Sequence, residues 1–154
     1  MNTDQVQMRG KHDDLTERVI GVFYDVYTEL EYGFLESVYR EAMRLALTQA
    51  GLRVATEVPV PVSFRGAVVG IFRADLIVND SLPVELKAVD QVVRQHASQT
   101  MHYLRATSIE VALLMNFGPS PRFQRFVMDN NLKKPKHRSV ESVTIGVRPS
   151  ELLR

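Results

Sequence analysis

Cysteine is absent from this 154-residue chain, and so is tryptophan. Without thiols there is no disulfide framework, no thiolate metal site and no cysteine nucleophile, a usage that fits the reducing cytoplasm expected for it. Charge of one sign is missing as well. Nineteen Lys and Arg stand against 18 Asp and Glu, a formal net charge of +1. No global basic field draws the chain to nucleic acid, so such a partner has to be met by a local patch. The opening stretch "MNTDQVQMRGKHDDL" lacks the apolar core of a signal peptide, and no run is long enough to cross a membrane. No membrane partner is expected. What is present is ordinary: 45% hydrophobic and 24% charged residues, in a length that suits one domain with a proper core.

Hydrophobic spacing gives the order of elements. Residues 1–14 read as a flexible polar lead, in which Asp13 or Asp14 can cap a helix. Leu15, Val19, Val22, Phe23, Val26, Tyr27 and Leu30 then repeat at helical spacing. After "EYG" a second helix, "FLESVYREAMRLALTQA", runs to Gly51. The period then changes to that of strands. "RVATEVPVPVSFRG" carries two prolines that suit an edge or a bend. "AVVGIFRADLIV" and "LPVELKAV" follow, joined by a turn with Asn79, Asp80, Ser81 and Pro83 as turn formers. "DQVVRQHASQTMHYLRAT" predicts a helix, "IEVALLMNFG" an apolar strand and "RFQRFVMD" one more. The fold class is α/β or α+β, with a folded domain over 15–131. A basic tail follows over 132–154, whose "SVTIGV" could add an edge strand.

Three charges interrupt the apolar hairpin. Residues two apart in a strand share a face, so Glu85 and Lys87 project together, with Leu86 opposite. A hairpin turn at 79–83 brings Asp75 to the same spot. Two carboxylates repel unless a proton or a cation lies between them, and oxygen-only ligands suit a hard cation, Mg²⁺ or Mn²⁺. The competing reading is a salt bridge of Lys87 with Glu85 or Asp75.

Other residues surround that pattern. In "GFLESVY", Gly33 permits a sharp turn and Glu36 falls in the first helical turn, where its charge suits the helix dipole. The alternative there is an i,i+4 pair of Glu36 with Arg40. In "QTMHY", Gln99 and Tyr103 share a helix face with His96, opposite an apolar stripe of Val93, Ala97, Met101 and Leu104. His96 is near enough to that face to touch a phosphate, whereas His102 and His137 read as surface residues. Lys133, Lys134, Lys136, His137 and Arg138 form a basic run that suits either a nucleic-acid backbone or plain solvent.

Together these residues resemble the GxxExxY proteins, a small branch of the PD-(D/E)xK nuclease superfamily. The naming motif stands as Gly33, Glu36 and Tyr39. The superfamily signature stands as Asp75, Glu85 and Lys87, with Ala74 where a proline often precedes the aspartate. "QTMHYL" is similar to the QxxxY helix of several branches, and "LLMNFG" to the closing strand. The resemblance spans roughly residues 15–128. It implies a restriction-endonuclease-like αβββαβ core, a mixed central sheet flanked by helices. It implies that Asp75, Glu85 and the Leu86 carbonyl hold Mg²⁺ or Mn²⁺, with Glu36 as a further acid, direct or through water. Lys87 would act on the attacking water and the developing charge, while Gln99 and Tyr103 hold ligands and phosphate in place. The function implied is a metal-dependent nuclease acting on nucleic acid, DNA ahead of RNA. The small size and near-neutral charge keep two alternatives open: a homo-oligomer with a larger groove, and a non-catalytic module that binds nucleic acid or protein.

Overall fold

Two helices lead into a sheet in the computed structural model, which describes residues 12–133. Helix α1, Asp13–Leu30, buries Thr16, Val19, Phe23 and Val26, the 3–4 spacing of one helical face. His12 caps it in the left-handed region at φ 69°, and the His12 carbonyl accepts from both the amide and the hydroxyl of Thr16. Asp13 and Asp14 lie in the first turn, where their charge suits the dipole, so the capping role expected of them falls one residue earlier. Helix α2, Glu36–Gln49, buries Tyr39, Met43 and Leu47.

Strands β1 (Val54–Phe64), β2 (Ala67–Val78), β3 (Leu82–Lys87), β4 (Val111–Phe117) and β5 (Pro121–Val127) form one sheet in the order β1-β2-β3-β4-β5. Among the described residues only β3 and β4 pair in parallel; the other neighbours are antiparallel. Helix α3, Arg94–Ala106, makes the crossover between the parallel pair, the connection that parallel strands require. The two prolines of β1, Pro59 and Pro61, sit on an edge strand, where a missing N–H costs least. The β2–β3 hairpin turns through Asn79 and Asp80, at φ 50° and 57°, with the Ser81 amide donating to the Val78 carbonyl at 3.1 Å. Pro83, a turn former by sequence, instead lies inside β3 opposite Ile77.

Each sheet face carries its own core. Helices α1 and α2 cover one, packing Phe23, Tyr39 and Met43 against Leu76, Val84, Leu86 and Phe117. Helix α3 covers the other, packing Tyr103 and Leu104 against Val58, Ala74, Ile77 and Ala112. This is a mixed five-stranded α+β fold of restriction-endonuclease-like architecture. No helix among the described residues is long and apolar enough to cross a membrane. "SVTIGV" and the basic residues Lys134, Lys136, His137 and Arg138 lie outside the described residues.

Candidate functional site

Asp75 sits where the sheet opens on both sides of β2. Pairing of β1 with β2 passes from Thr56↔Leu76 to Val58↔Ala74, skipping Glu57 opposite Asp75. Glu57 takes φ 50° there, rare for a side-chain-bearing residue in a strand. On the other flank, pairing of β2 with β3 ends at Leu76↔Val84. The Asp75 carboxylate takes over the next rung: its Oδ2 accepts from the Leu86 amide at 2.8 Å. That bond fixes the carboxylate beside Glu85 and uses one of its two oxygens.

Glu85 is the costly member of the set. Its Oε1 is buried without a hydrogen-bond partner. Burial first, then the Asp75 charge, pushes its carboxyl up to about 9, against some relief from Lys87. An ordinary salt bridge would hold the carboxyl below its usual range. Among the described residues, Lys87 forms no ion pair with either acid inside 4 Å, so the salt-bridge reading of the three charges does not hold. Tyr103 lies deep on the α3 side, its ring 4.3 Å from that of Phe72. Its hydroxyl is also buried and unpartnered, and burial together with the Glu85 charge pushes it up.

Glu36 reaches the site through the local fold of its motif. Gly33 takes φ 129° and starts the turn. Tyr39 closes it: fully buried, its hydroxyl donates to the Glu31 carbonyl at 2.5 Å and accepts from the Phe34 amide at 3.2 Å. The turn sets Glu36 at the head of α2. Burial and the Asp75 charge raise its carboxyl, while Lys87 and Arg40 oppose the rise. The i,i+4 pair expected between Glu36 and Arg40 gives way to another arrangement: Arg40 pairs with Asp75 at 3.6 Å and with Glu57 at 3.5 Å.

The α3 face differs from its sequence reading. Thr100, Tyr103 and Leu104 are buried, while Val93 is exposed and Gln99 faces solvent. The Thr100 and Thr107 hydroxyls return to the carbonyls of His96 and Tyr103, so polar residues sit on the packed side. His96 is half-buried, its imidazole held down by burial and by Lys87. Lys133 is not a free cation for phosphate, because its ammonium donates to the Thr107 and Ile109 carbonyls at 2.7 and 2.6 Å.

Behind Lys87 the chain is clamped. The Asn116 side chain accepts from the Val89 amide at 3.0 Å and donates to the Val89 carbonyl at 2.9 Å. The Gly118 carbonyl accepts from the Tyr27 hydroxyl at 2.7 Å. A Cβ on Gly118 would stand 2.4 Å from the Val89 oxygen. A cleft of about 610 Å³ opens nearby between Asp90, Asn116 and Phe123, and its lining includes none of Asp75, Glu85 and Lys87.

The sequence matches the family model of the PD-(D/E)XK nuclease superfamily over residues 13–126. The chain belongs to that superfamily. No curated protein and no solved structure matches it. The signature of a PD-(D/E)XK nuclease stands at the geometric break just described: the acid of β2, and the acid and lysine two residues apart on β3. Nucleases of the superfamily generally use divalent metal ions and act on nucleic acid. The donor set fits such an ion, since one buried carboxylate oxygen lacks a partner beside a second carboxylate. Among the described residues no three His, Asp or Glu side chains cluster as metal ligands. Asp75 and Glu85 are the two carboxylates that act on each other there, and the charge of Asp75 also reaches Glu36. Glu57 was not singled out by sequence, and Arg40 and Asn116 entered only as a partner for Glu36 and as the end of a strand. Counting back across the β1–β2 hairpin places Glu57 opposite Asp75, a signal present in the residues but obscured by a register shift at Val62/Ser63.

Proposed function

We propose that the chain is a divalent-cation-dependent nuclease of the GxxExxY branch that hydrolyses phosphodiester bonds, in DNA ahead of RNA. The observation that carries this is the unpartnered, buried Glu85 oxygen beside an Asp75 carboxylate fixed by the Leu86 amide. In this reading Asp75, Glu85 and the Leu86 carbonyl hold Mg²⁺ or Mn²⁺, and Glu36 adds negative charge at the same place. The bound cation lowers the pKa of its water and neutralises phosphate charge. Lys87 shares the face of Glu85, where its ammonium stabilises the charge that develops on the phosphate and steers the attacking water. Tyr103 is close enough to Glu85 to feel its charge, and its unpartnered hydroxyl is available to a ligand or a phosphate at the site. The Gly33 turn and the Tyr39 hydroxyl bonds support the branch assignment, because they give each residue of GxxExxY a task.

Labelled single-stranded, duplex and branched DNA, with an RNA control, should be cut in Mn²⁺ or Mg²⁺ and spared in chelator. Lys87→Ala should lower turnover on the order of 100- to 1,000-fold while Mn²⁺ binding, read by calorimetry, persists. Asp75→Ala should lose both. If the wild-type protein cuts no substrate, or Lys87→Ala cuts as well as wild type, the nuclease reading fails and a binding module takes its place.

A further inference from the structure

Arg40 has no role in the superfamily signature, yet it stands at the centre of the site's charges. Its guanidinium lies 3.6 Å from Asp75 Oδ1 and 3.5 Å from Glu57 Oε1. Both separations exceed the usual 2.7–2.9 Å of a charge-assisted hydrogen bond. The two acids differ in setting. The Asp75 side chain is 16% exposed and Glu57 58%, with Arg40 between them at 23%. The Glu57 pair is thus the solvated, weaker one. Asp75 presents two oxygens: Oδ2 is taken by the Leu86 amide, and Oδ1 is the one Arg40 faces. Oδ1 is the oxygen over which Arg40 and a cation would compete.

We infer that Arg40 is the resident counter-ion of the acid pair, competing with a divalent cation for Asp75 while Glu57 draws it aside. The inference rests on the reading of Asp75 and Glu85 as a cation site. Arg40 neutralises Asp75 when no cation is bound. Glu57 offers the displaced guanidinium a second partner, which lowers the free energy of giving up the first. The left-handed backbone at Glu57 and the bond from the Arg73 guanidinium to the Glu57 carbonyl at 3.2 Å hold that partner opposite Asp75. Arg40 is a positioning residue on these grounds, acting through Asp75.

The test is calorimetric titration of the full-length protein with MnCl₂, substrate absent. Arg40→Ala should bind Mn²⁺ roughly three- to tenfold more tightly than wild type, and Arg40→Gln, which keeps the packing of the stem, should move the same way. Glu57→Gln should bind about two- to fivefold more weakly. In the double variant Arg40→Ala/Glu57→Gln the Glu57 effect should vanish, because its route runs through Arg40. A merely structural Arg40 would lower the melting temperature and leave Mn²⁺ affinity alone. Equal affinity in wild type and both Arg40 variants overturns the inference, as does simple addition of the two effects in the double variant; cleavage by the wild type would then leave the nuclease reading standing. Wild-type protein that binds no Mn²⁺ overturns the inference and the cation site together.

Discussion

Glu85 favours its protonated form in its strand. Its folded-state carboxyl is pushed from 4.5 up to about 9. Between those values the folded protein holds a proton that the unfolded chain has released. Stability of the cation-free protein is therefore fully present below about pH 4.5 as far as this group is concerned, and declines as pH rises toward about 9. Thermal melts in chelator should show wild type losing melting temperature from pH 6 to pH 8.5. Glu85→Gln, neutral throughout, should lose distinctly less and be the more stable protein at the upper end. Parallel curves for the two would exclude Glu85 as the titrating group. If Glu85 holds a cation as proposed, the residue that weakens the empty fold is the one that strengthens the loaded one.

At the scale of elements, sheet and helices were legible because their signals are periodic. Alternation predicted β1 to β3, the prolines of β1 suited an edge or a bend and the structure has the edge, and "LLMNFG" gave a strand that is buried throughout. The Asp75, Glu85 and Lys87 face followed from the two-residue repeat. Helix α3 was misread because its packed stripe is partly polar: Thr100 and Thr107 satisfy their hydroxyls on the preceding turn, which removes the burial cost that periodicity assumes. Arg40 was misread because a helix-only rule paired it with Glu36, whereas the neighbouring strands offered two other acids. Asn116 reads in sequence only as the end of its strand, since its partners are backbone atoms 27 residues away. That clamp gives its own prediction. Gly118→Ala places a methyl group against the Val89 carbonyl, which is backbone and cannot rotate away. The variant should lose about 2 kcal/mol in a denaturant titration. Because Val89 follows Lys87 by two residues, nuclease activity should fall further than the loss of folded protein accounts for. Unchanged stability would mean that the 88–90 segment yields freely.

For the molecule as a whole, the sheet divides at Asp75. Strands β3 and β4 are flanked on both sides, and β4 is buried from end to end. Beyond Asp75, β2 pairs among the described residues only with β1, and the far end exposes Phe64, Val68, Val69 and Ile71. Fewer buried contacts mean a lower opening free energy. Native-state hydrogen exchange should therefore find the 62–71 amides exchanging well before those of β3 and β4, and equal protection would contradict the division. The β1–β2 arm is in effect a lever and Asp75 stands at its fulcrum, while Glu85 belongs to the fixed block. The bond from the Leu86 amide to the Asp75 carboxylate ties the arm to that block. Bending of the arm is therefore resisted first at a side chain, where the β2–β3 ladder has already ended.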